Sequence, residues 1–192
     1  ILTCMSNENV SFDVALEKAK SLGYAEANPS SDINGEDVAS KLKILSSLCF
    51  NSFLIKEISV EGIKNIDKED IKNASILGYK IKLIGVAEKI KNKVFQRVHP
   101  ALVKKSSYIA SINGVLNAVI TNGHPVGESV IQGEGAGPEA TTSALVSDIS
   151  SVLRGNIKYP FAISKKERKK LNYGSIKLQN FSAYLRVDVQ DK

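Results

Sequence analysis

A chain of 192 residues, 43% hydrophobic and 24% charged, is long enough for one good core, or for one domain plus part of another. Its composition is that of an ordinary soluble globular protein: no run is long enough to span a membrane, and the opening ILTCMS is too short and too polar in its continuation for a signal peptide. The formal net charge of +6 would suit nucleic acid only if the lysines clustered. They do so only at residues 165–170, KKERKK, which read as a solvated linker. Cys4 and Cys49 have no metal-ligand spacing and make no disulfide framework, so the expected setting is reducing and cytoplasmic, with Cys49 a small core residue. The start without Met points to a truncated beginning.

In chain order, residues 10–22 carry a helical pattern with Ser11 as N-cap. Val14, Ala15, Leu16, Ala19 and Leu22 form its apolar side, and Gly23 ends it. Residues 28–34 are dense in Pro, Ser, Asp and Asn and read as a loop. A long helix follows, with Asn34 as N-cap and Glu36 and Asp37 in the first turn, where the dipole favours acid. At about 100° per residue, Ile44, Leu48, Leu45, Val38, Cys49 and Leu42 form one apolar arc, while Glu36, Ala39, Ser40, Lys43, Ser46 and Ser47 fill the other side. Asp37 falls between Ile44 and Leu48, and Lys41 between Leu48 and Leu45, so both charges lie inside the arc. Two readings stay open. The pair is an ordinary solvated i,i+4 pair in the favourable acid-first order, or it is held partly out of water, where charge must be matched or used. Glu26 and Asp32 lie on the irregular approach to the same helix, so four ionisable side chains can converge.

Residues 52–60 form a connection with a short strand, and Asp67 opens a small helix closed by Gly78. Residues 79–87, YKIKLIGVA, alternate Tyr79, Ile81, Leu83 and Gly85 against Lys80 and Lys82 and pair across a turn with residues 94–98. A second hairpin joins residues 115–121 to 129–132 around Asn122-Gly123-His124-Pro125, with the Asn-Gly step favouring positive φ. Four strands on one side of helices predict an α+β domain with a mixed, largely antiparallel sheet. Gly133, Gly135 and Gly137 lead into Pro138 and a helix ending at about residue 153. A glycine loop at a helix N-terminus can cradle an anion. The dinucleotide fingerprint, however, needs glycine where Pro138 stands and a βαβ unit before it, which leaves a plain tight turn as the simpler reading. The pattern weakens over residues 156–180, and residues 181–189, FSAYLRVDV, read as a strand. His99 and His124 have no ligand-spaced partner, which argues against a metal site.

The segment GYAEANPSSDINGEDVASKLKIL at residues 23–45 resembles the active-site segment of homoserine dehydrogenase, roughly GYAEADPxxDxxGxDxxxKxxIL. RVHPALV at 97–103, INGVLNAV at 112–119 and GEGAGPEATTSALVSDI at 133–149 extend the resemblance over most of the chain. It implies NAD(P)-dependent interconversion of L-homoserine and L-aspartate 4-semialdehyde in threonine, methionine and isoleucine biosynthesis. Lys41 would act at the carbinol oxygen, as proton acceptor or as stabiliser of an alkoxide-like oxygen. By the same resemblance Asp32 would hydrogen-bond the hydroxyl end, Glu26 would bind the substrate ammonium, and Asp37 would orient Lys41. Tyr24 would line the pocket or simply pack. Gly135 and Gly137 would close near the cofactor, and the helix after them would return to a nucleotide-binding domain. Ala140 stands where the family commonly has Pro. His99 belongs to the family-like RVHP motif and is given no catalytic role.

That nucleotide-binding domain, a second lysine and the backbone ligands of a sodium ion would precede Ile1, so the chain alone is expected not to turn over. The implied division is a substrate-binding, catalytic and dimerisation domain at 1–136, the returning helix at 137–155, a linker at 156–180, and the first strand of a truncated ACT-like domain at 181–192. The expected assembly is a homodimer through the sheet, without nucleic acid or membrane. The alternative is a noncatalytic oligomerisation or amino-acid-binding module, whose charges would be dispersed or sealed by hydrogen bonds. Catalysis requires Glu26, Asp32, Asp37 and Lys41 in one open cleft.

Overall fold

In the computed structural model, which describes residues 1–25, 28–156, 159, 163–175, 179–187 and 189–190, the chain opens with helices α1 (Leu2–Glu8) and α2 (Phe12–Ser21). The Ser11 hydroxyl accepts the Val14 N–H and caps α2 as its sequence predicts, while Asp13 in the first turn and Lys18 and Lys20 in the last match the helix dipole. Residues 28–34, expected as a loop, carry a short helix instead, α3 (Ser30–Asn34). Pro29 supplies a backbone already turned toward a first helical turn, and the same turn-forming residues complete it. Gly35, at φ 82°, both ends α3 and begins α4 (Glu36–Phe50). Asn34 is therefore the last residue of α3 and not the N-cap of α4.

The long helix lies on an antiparallel hairpin in which β2 (Tyr79–Ile90) and β3 (Lys93–Lys104) pair from Tyr79–Lys104 to Ile90–Lys93. The strands β1 (Ser59–Val60) and β6 (Asn172–Tyr173) each join β3 in parallel, which completes a four-stranded sheet. A separate two-stranded ribbon is made by β4 (Leu116–Gly123) and β5 (Gly127–Glu134), so the four expected strands divide between two sheets. Its strands stay paired up to Gly123, the loop shortens to residues 124–126, and the left-handed conformation falls on Gly127 (φ 80°) rather than on the Asn122-Gly123 step. Among the described residues the remaining helices are α5 (Lys68–Ile76), α6 (Tyr108–Ser111) and α7 (Pro138–Leu153). The fold is α+β, as predicted, with an antiparallel centre and parallel additions at β3.

Ala39 and Leu42 of α4 meet Val98 of β3, with Val38, Ile58, Leu83 and Ala87 packed around them. Gly85 of β2 lets the helix settle there: a Cβ at this position would stand 3.1 Å from Val38 Cγ1. The face of α4 that is buried differs from the expected arc. Ala39, Leu42, Ser46 and Ser47 are buried, whereas Ile44 (54% exposed), Leu48 and Cys49 are open. Cys49 is thus not a core residue. Serines are ranked polar by hydropathy, but these two use their hydroxyls: Ser46 donates to Leu42 O and Ser47 to Lys43 O, both at 2.6 Å. Ser46 Oγ also accepts from Gln96 Nε2 at 2.7 Å, and Ser47 Oγ from Leu54 N at 3.0 Å. A hydroxyl with all its bonds made is inexpensive to bury.

After β6, none of the described residues enters a ladder. The described residues of 181–189 form no strand, although their composition favours one; side-chain anchors hold them instead of a sheet edge. Arg186 reaches Asp67 Oδ1 at 2.6 Å and Asp70 Oδ1 at 2.9 Å. These two acids form the reciprocal capping box at the start of α5. Residues 165–170 are also not wholly solvated: the Arg168 guanidinium lies 5.6 Å from the Phe53 ring centre, and Lys169 N–H donates to Asn51 O at 2.7 Å.

The Arg186 guanidinium, above all, holds the Asp67 carboxyl down at about 2, from an ordinary value of 3.8. A carboxyl depressed in the folded state contributes stability above its unfolded pKa and loses it as pH falls through the folded one. The difference in urea midpoint between the native chain and Arg186→Gln is therefore expected to be constant above about pH 4 and to shrink from there toward pH 2. A difference that persists undiminished at the acid end would contradict this assignment.

Candidate functional site

The joint between α3 and α4 carries Asp32, Asp37 and Lys41 on the two helices that meet there, and two glycines set its geometry. At Gly35 a Cβ would meet Val60 Cγ1 at 3.1 Å and Val98 Cγ1 at 3.3 Å, on a backbone already in the left-handed region. Gly62 sits closer still: its Cβ would stand 2.2 Å from Ile33 O and 2.7 Å from Asn34 Cα. Glu61 N–H donates to Val98 O and Ile63 N–H to Ile33 O, both at 2.8 Å. The segment around Gly62 is thus fastened between β3 and the end of α3, and it fixes the direction in which α4 departs. Sequence reasoning missed Gly62. Its only signal was a lone glycine between the apolar residues Val60 and Ile63, the mark of a close backbone approach.

Asp37 and Lys41 are brought together. Lys41 Nζ donates to Asp37 Oδ2 at 2.6 Å, with the two side chains 57% and 40% exposed. At about 100° per residue they lie opposite the buried Ala39–Leu42–Ser46 stripe, Asp37 between Ile44 and Leu48 and Lys41 between Leu48 and Leu45. The pair does sit within an apolar arc, but this arc faces away from the described core. Asp32 lies in the first turn of α3 and is exposed. Tyr24 is 49% exposed, and its N–H bonds Ala19 O at 2.9 Å. Glu26 lies outside the described residues.

On the other side of the hairpin, Arg97 Nε donates to His99 Nε2 at 3.2 Å. An Arg N–H can only donate, so Nε2 is the acceptor and Nδ1 carries the proton, which it gives to Pro100 O at 2.9 Å. Both ring nitrogens are engaged. Lys82 is pushed below its ordinary value, through burial first and its neighbour Lys80 second. Its amine donates to Ile112 O and, at 3.1 Å, to Asn113 Oδ1, closing the end of α6. Among the described residues no three His, Cys, Asp or Glu side chains group as a metal site would require.

Gly135 and Gly137 lead into α7 as predicted. Gly135 passes against Asn117, where a Cβ would collide with the side-chain amide, and its N–H bonds Val115 O at 3.2 Å. Gly137, at φ 105°, precedes Pro138 in the first turn, and no side chain caps this helix. No residue of α7 is buried; Leu145, Val146, Ile149 and Val152 are each at least half exposed. The accessible surface, 13578 Å² for 20.8 kDa, compares with about 8,900 Å² for a compact monomer of this mass.

The Homoserine dehydrogenase family profile matches residues 1–150. The chain is 43% identical over 155 residues to the homoserine dehydrogenase of Helicobacter pylori, covering 80% of this chain and 37% of that protein. The crystal structure of a homoserine dehydrogenase from Thiobacillus denitrificans superposes with a TM-score of 0.81 at 37% identity, covering 90% of this chain and 42% of that one. A hyperthermophilic archaeal homoserine dehydrogenase mutant in complex with NADPH superposes at 0.61 and 32% identity, covering 80% and 43%. The chain thus spans about two fifths of the length of these relatives. On the match over residues 1–150, and on a shared fold at more than one third identity, the chain belongs to the homoserine dehydrogenase family.

Proposed function

We propose that this chain supplies the substrate-binding side of a homoserine dehydrogenase active site, interconverting L-homoserine and L-aspartate 4-semialdehyde with NAD(P) in the cytoplasmic synthesis of threonine, methionine and isoleucine. The Asp37–Lys41 pair, at 2.6 Å on the outward face of α4, carries the reading. Its two residues occupy the Asp and Lys positions of the family segment, and their exposure on the outward face of α4 supports a surface that a nucleotide-binding domain would cover. The nicotinamide, when bound, accepts or returns the hydride; this chain's residues hold the substrate and manage one proton. In reduction the Lys41 ammonium donates to the oxygen of the forming alcohol, and in oxidation the amine takes that proton back. Asp37 fixes the amine in place, Asp32 bonds the hydroxyl end, Glu26 receives the substrate ammonium, and Tyr24 lines the pocket. Gly135 and Gly137 present the start of α7, whose first N–H groups have no side-chain cap and suit an anionic part of the cofactor. A homodimer through the sheet accounts for part of the large open surface.

The test is homoserine-dependent reduction of NAD or NADP by this chain alone and by this chain joined to the upstream segment of its family. Turnover is expected only from the joined form. In that form Glu26→Gln is expected to raise KM for homoserine about 100-fold with a smaller effect on kcat, because it removes one charge-assisted contact to the ammonium. Turnover by the chain alone, or a native KM in Glu26→Gln, would overturn the assignment.

A further inference from the structure

Residues 179–187 touch the domain at two separated places. At the sheet, the Arg97 guanidinium donates to Gln179 Oε1 at 3.3 Å and lies 4.7 Å from the Phe181 ring centre, while Gln179 Nε2 donates to Glu88 Oε2 at 3.1 Å. At α5, Arg186 bridges Asp67 and Asp70, and the Tyr184 hydroxyl donates to Asp70 Oδ1 at 3.2 Å while accepting from Asn73 Nδ2 at 3.3 Å. The intervening and following side chains contribute little burial: Leu185 is 82% exposed and Val187 66%. The segment is therefore held by polar side-chain contacts at two points and not by an apolar interface.

Each anchor is also tied into the fold. Asp67 and Asp70 form the cap of α5, and Arg97 donates to His99 and pairs with Glu88 at 3.7 Å. We propose that residues 179–187 are a releasable strap joining the β2–β3 hairpin to the start of α5, and that opening it frees Arg97 to rearrange beside His99. Two weak anchors on one short tether reinforce each other, because binding at one holds the other at high effective concentration. Loss of either anchor is thus felt at both. The strap also lies behind the candidate site: Val98, between Arg97 and His99 in β3, packs against Ala39 and Leu42 of α4 on the opposite face of the sheet.

The test uses the whole chain under limited chymotrypsin, with the Arg97 Nε–H resonance followed in parallel. When opening is fast relative to cleavage, the rate reports the open population. Arg186→Gln is expected to raise cleavage after both Phe181 and Tyr184 about tenfold, equivalent to losing roughly 1.4 kcal/mol. It is also expected to shift the Arg97 signal, although the two arginines serve different anchors. Cleavage at both bonds within twofold of native overturns the strap. Faster cleavage after Tyr184 alone, with the Arg97 signal unmoved, overturns it in favour of a frayed end. Cleavage after the buried Phe95 reports global unfolding. Should Arg186→Gln raise that as well, Gln179→Ala, which leaves the α5 cap intact, decides on the same readouts: faster cleavage after Tyr184 supports the strap, and native cleavage there overturns it.

Discussion

Lys41→Met, introduced into the chain joined to the upstream segment of its family, is expected under the proposed role to lower kcat about 1,000-fold, in the range that a positioned proton donor contributes. Methionine keeps the apolar stem of the side chain and removes only the amine, so the substitution isolates the chemistry at Nζ. The structure allows loss of activity to be separated from loss of fold. The Asp37–Lys41 pair is 40–57% exposed, and an ion pair so open to solvent contributes at most about 1 kcal/mol. A large fall in kcat with an unchanged unfolding midpoint assigns Lys41 to the reaction. Turnover within a few-fold of native would remove it from the mechanism, whatever the sequence match.

Gly62→Ala should carry the largest cost in stability, about 3 kcal/mol, with a melting temperature lower by about 10 °C. The atoms facing the new methyl group, Ile33 O and Asn34 Cα at 2.2 and 2.7 Å, are backbone, so no side chain can turn aside. The loop must lift from α3, which breaks the Ile63 N–H to Ile33 O bond at 2.8 Å and leaves a carbonyl to find another donor. Gly78→Ala is the control: its φ is +83° but nothing lies within 4 Å, so only backbone strain of about 1 kcal/mol applies. Equal melting temperatures for the two variants would show that the junction yields more easily than its contacts imply.

Local chemistry was the legible part of this fold. Ser11, Asp67, Gly78 and Pro138 all mark helix boundaries, because caps and stops depend on one residue and its immediate neighbours. The alternation of Tyr79, Ile81 and Leu83 with lysines likewise announces the first hairpin. Three-dimensional choices were not legible. Hydropathy put Ile44 and Leu48 inside and Ser46 and Ser47 outside, and the packed structure reverses this once the serine hydroxyls find carbonyl partners. A two-residue strand such as β6 has no period to detect, and a tyrosine- and valine-containing tail reads as a strand when side-chain anchors hold it instead. Of the candidate site, the i,i+4 pair follows from helical spacing alone. The glycine contacts that aim it depend on residues nearly thirty positions apart.

The surface left open along α7 has a calorimetric consequence. Heat capacity rises on unfolding because apolar groups become newly hydrated, by about 12–15 cal/mol/K per residue in typical domains. Leu145, Val146, Ile149 and Val152 are largely hydrated already, so this chain by itself should fall below that range and show a flatter dependence of stability on temperature. Under the proposed arrangement, joining the chain to the upstream segment of its family would bring the increment back up, and the size of that recovery would measure how much of α7 that segment dries.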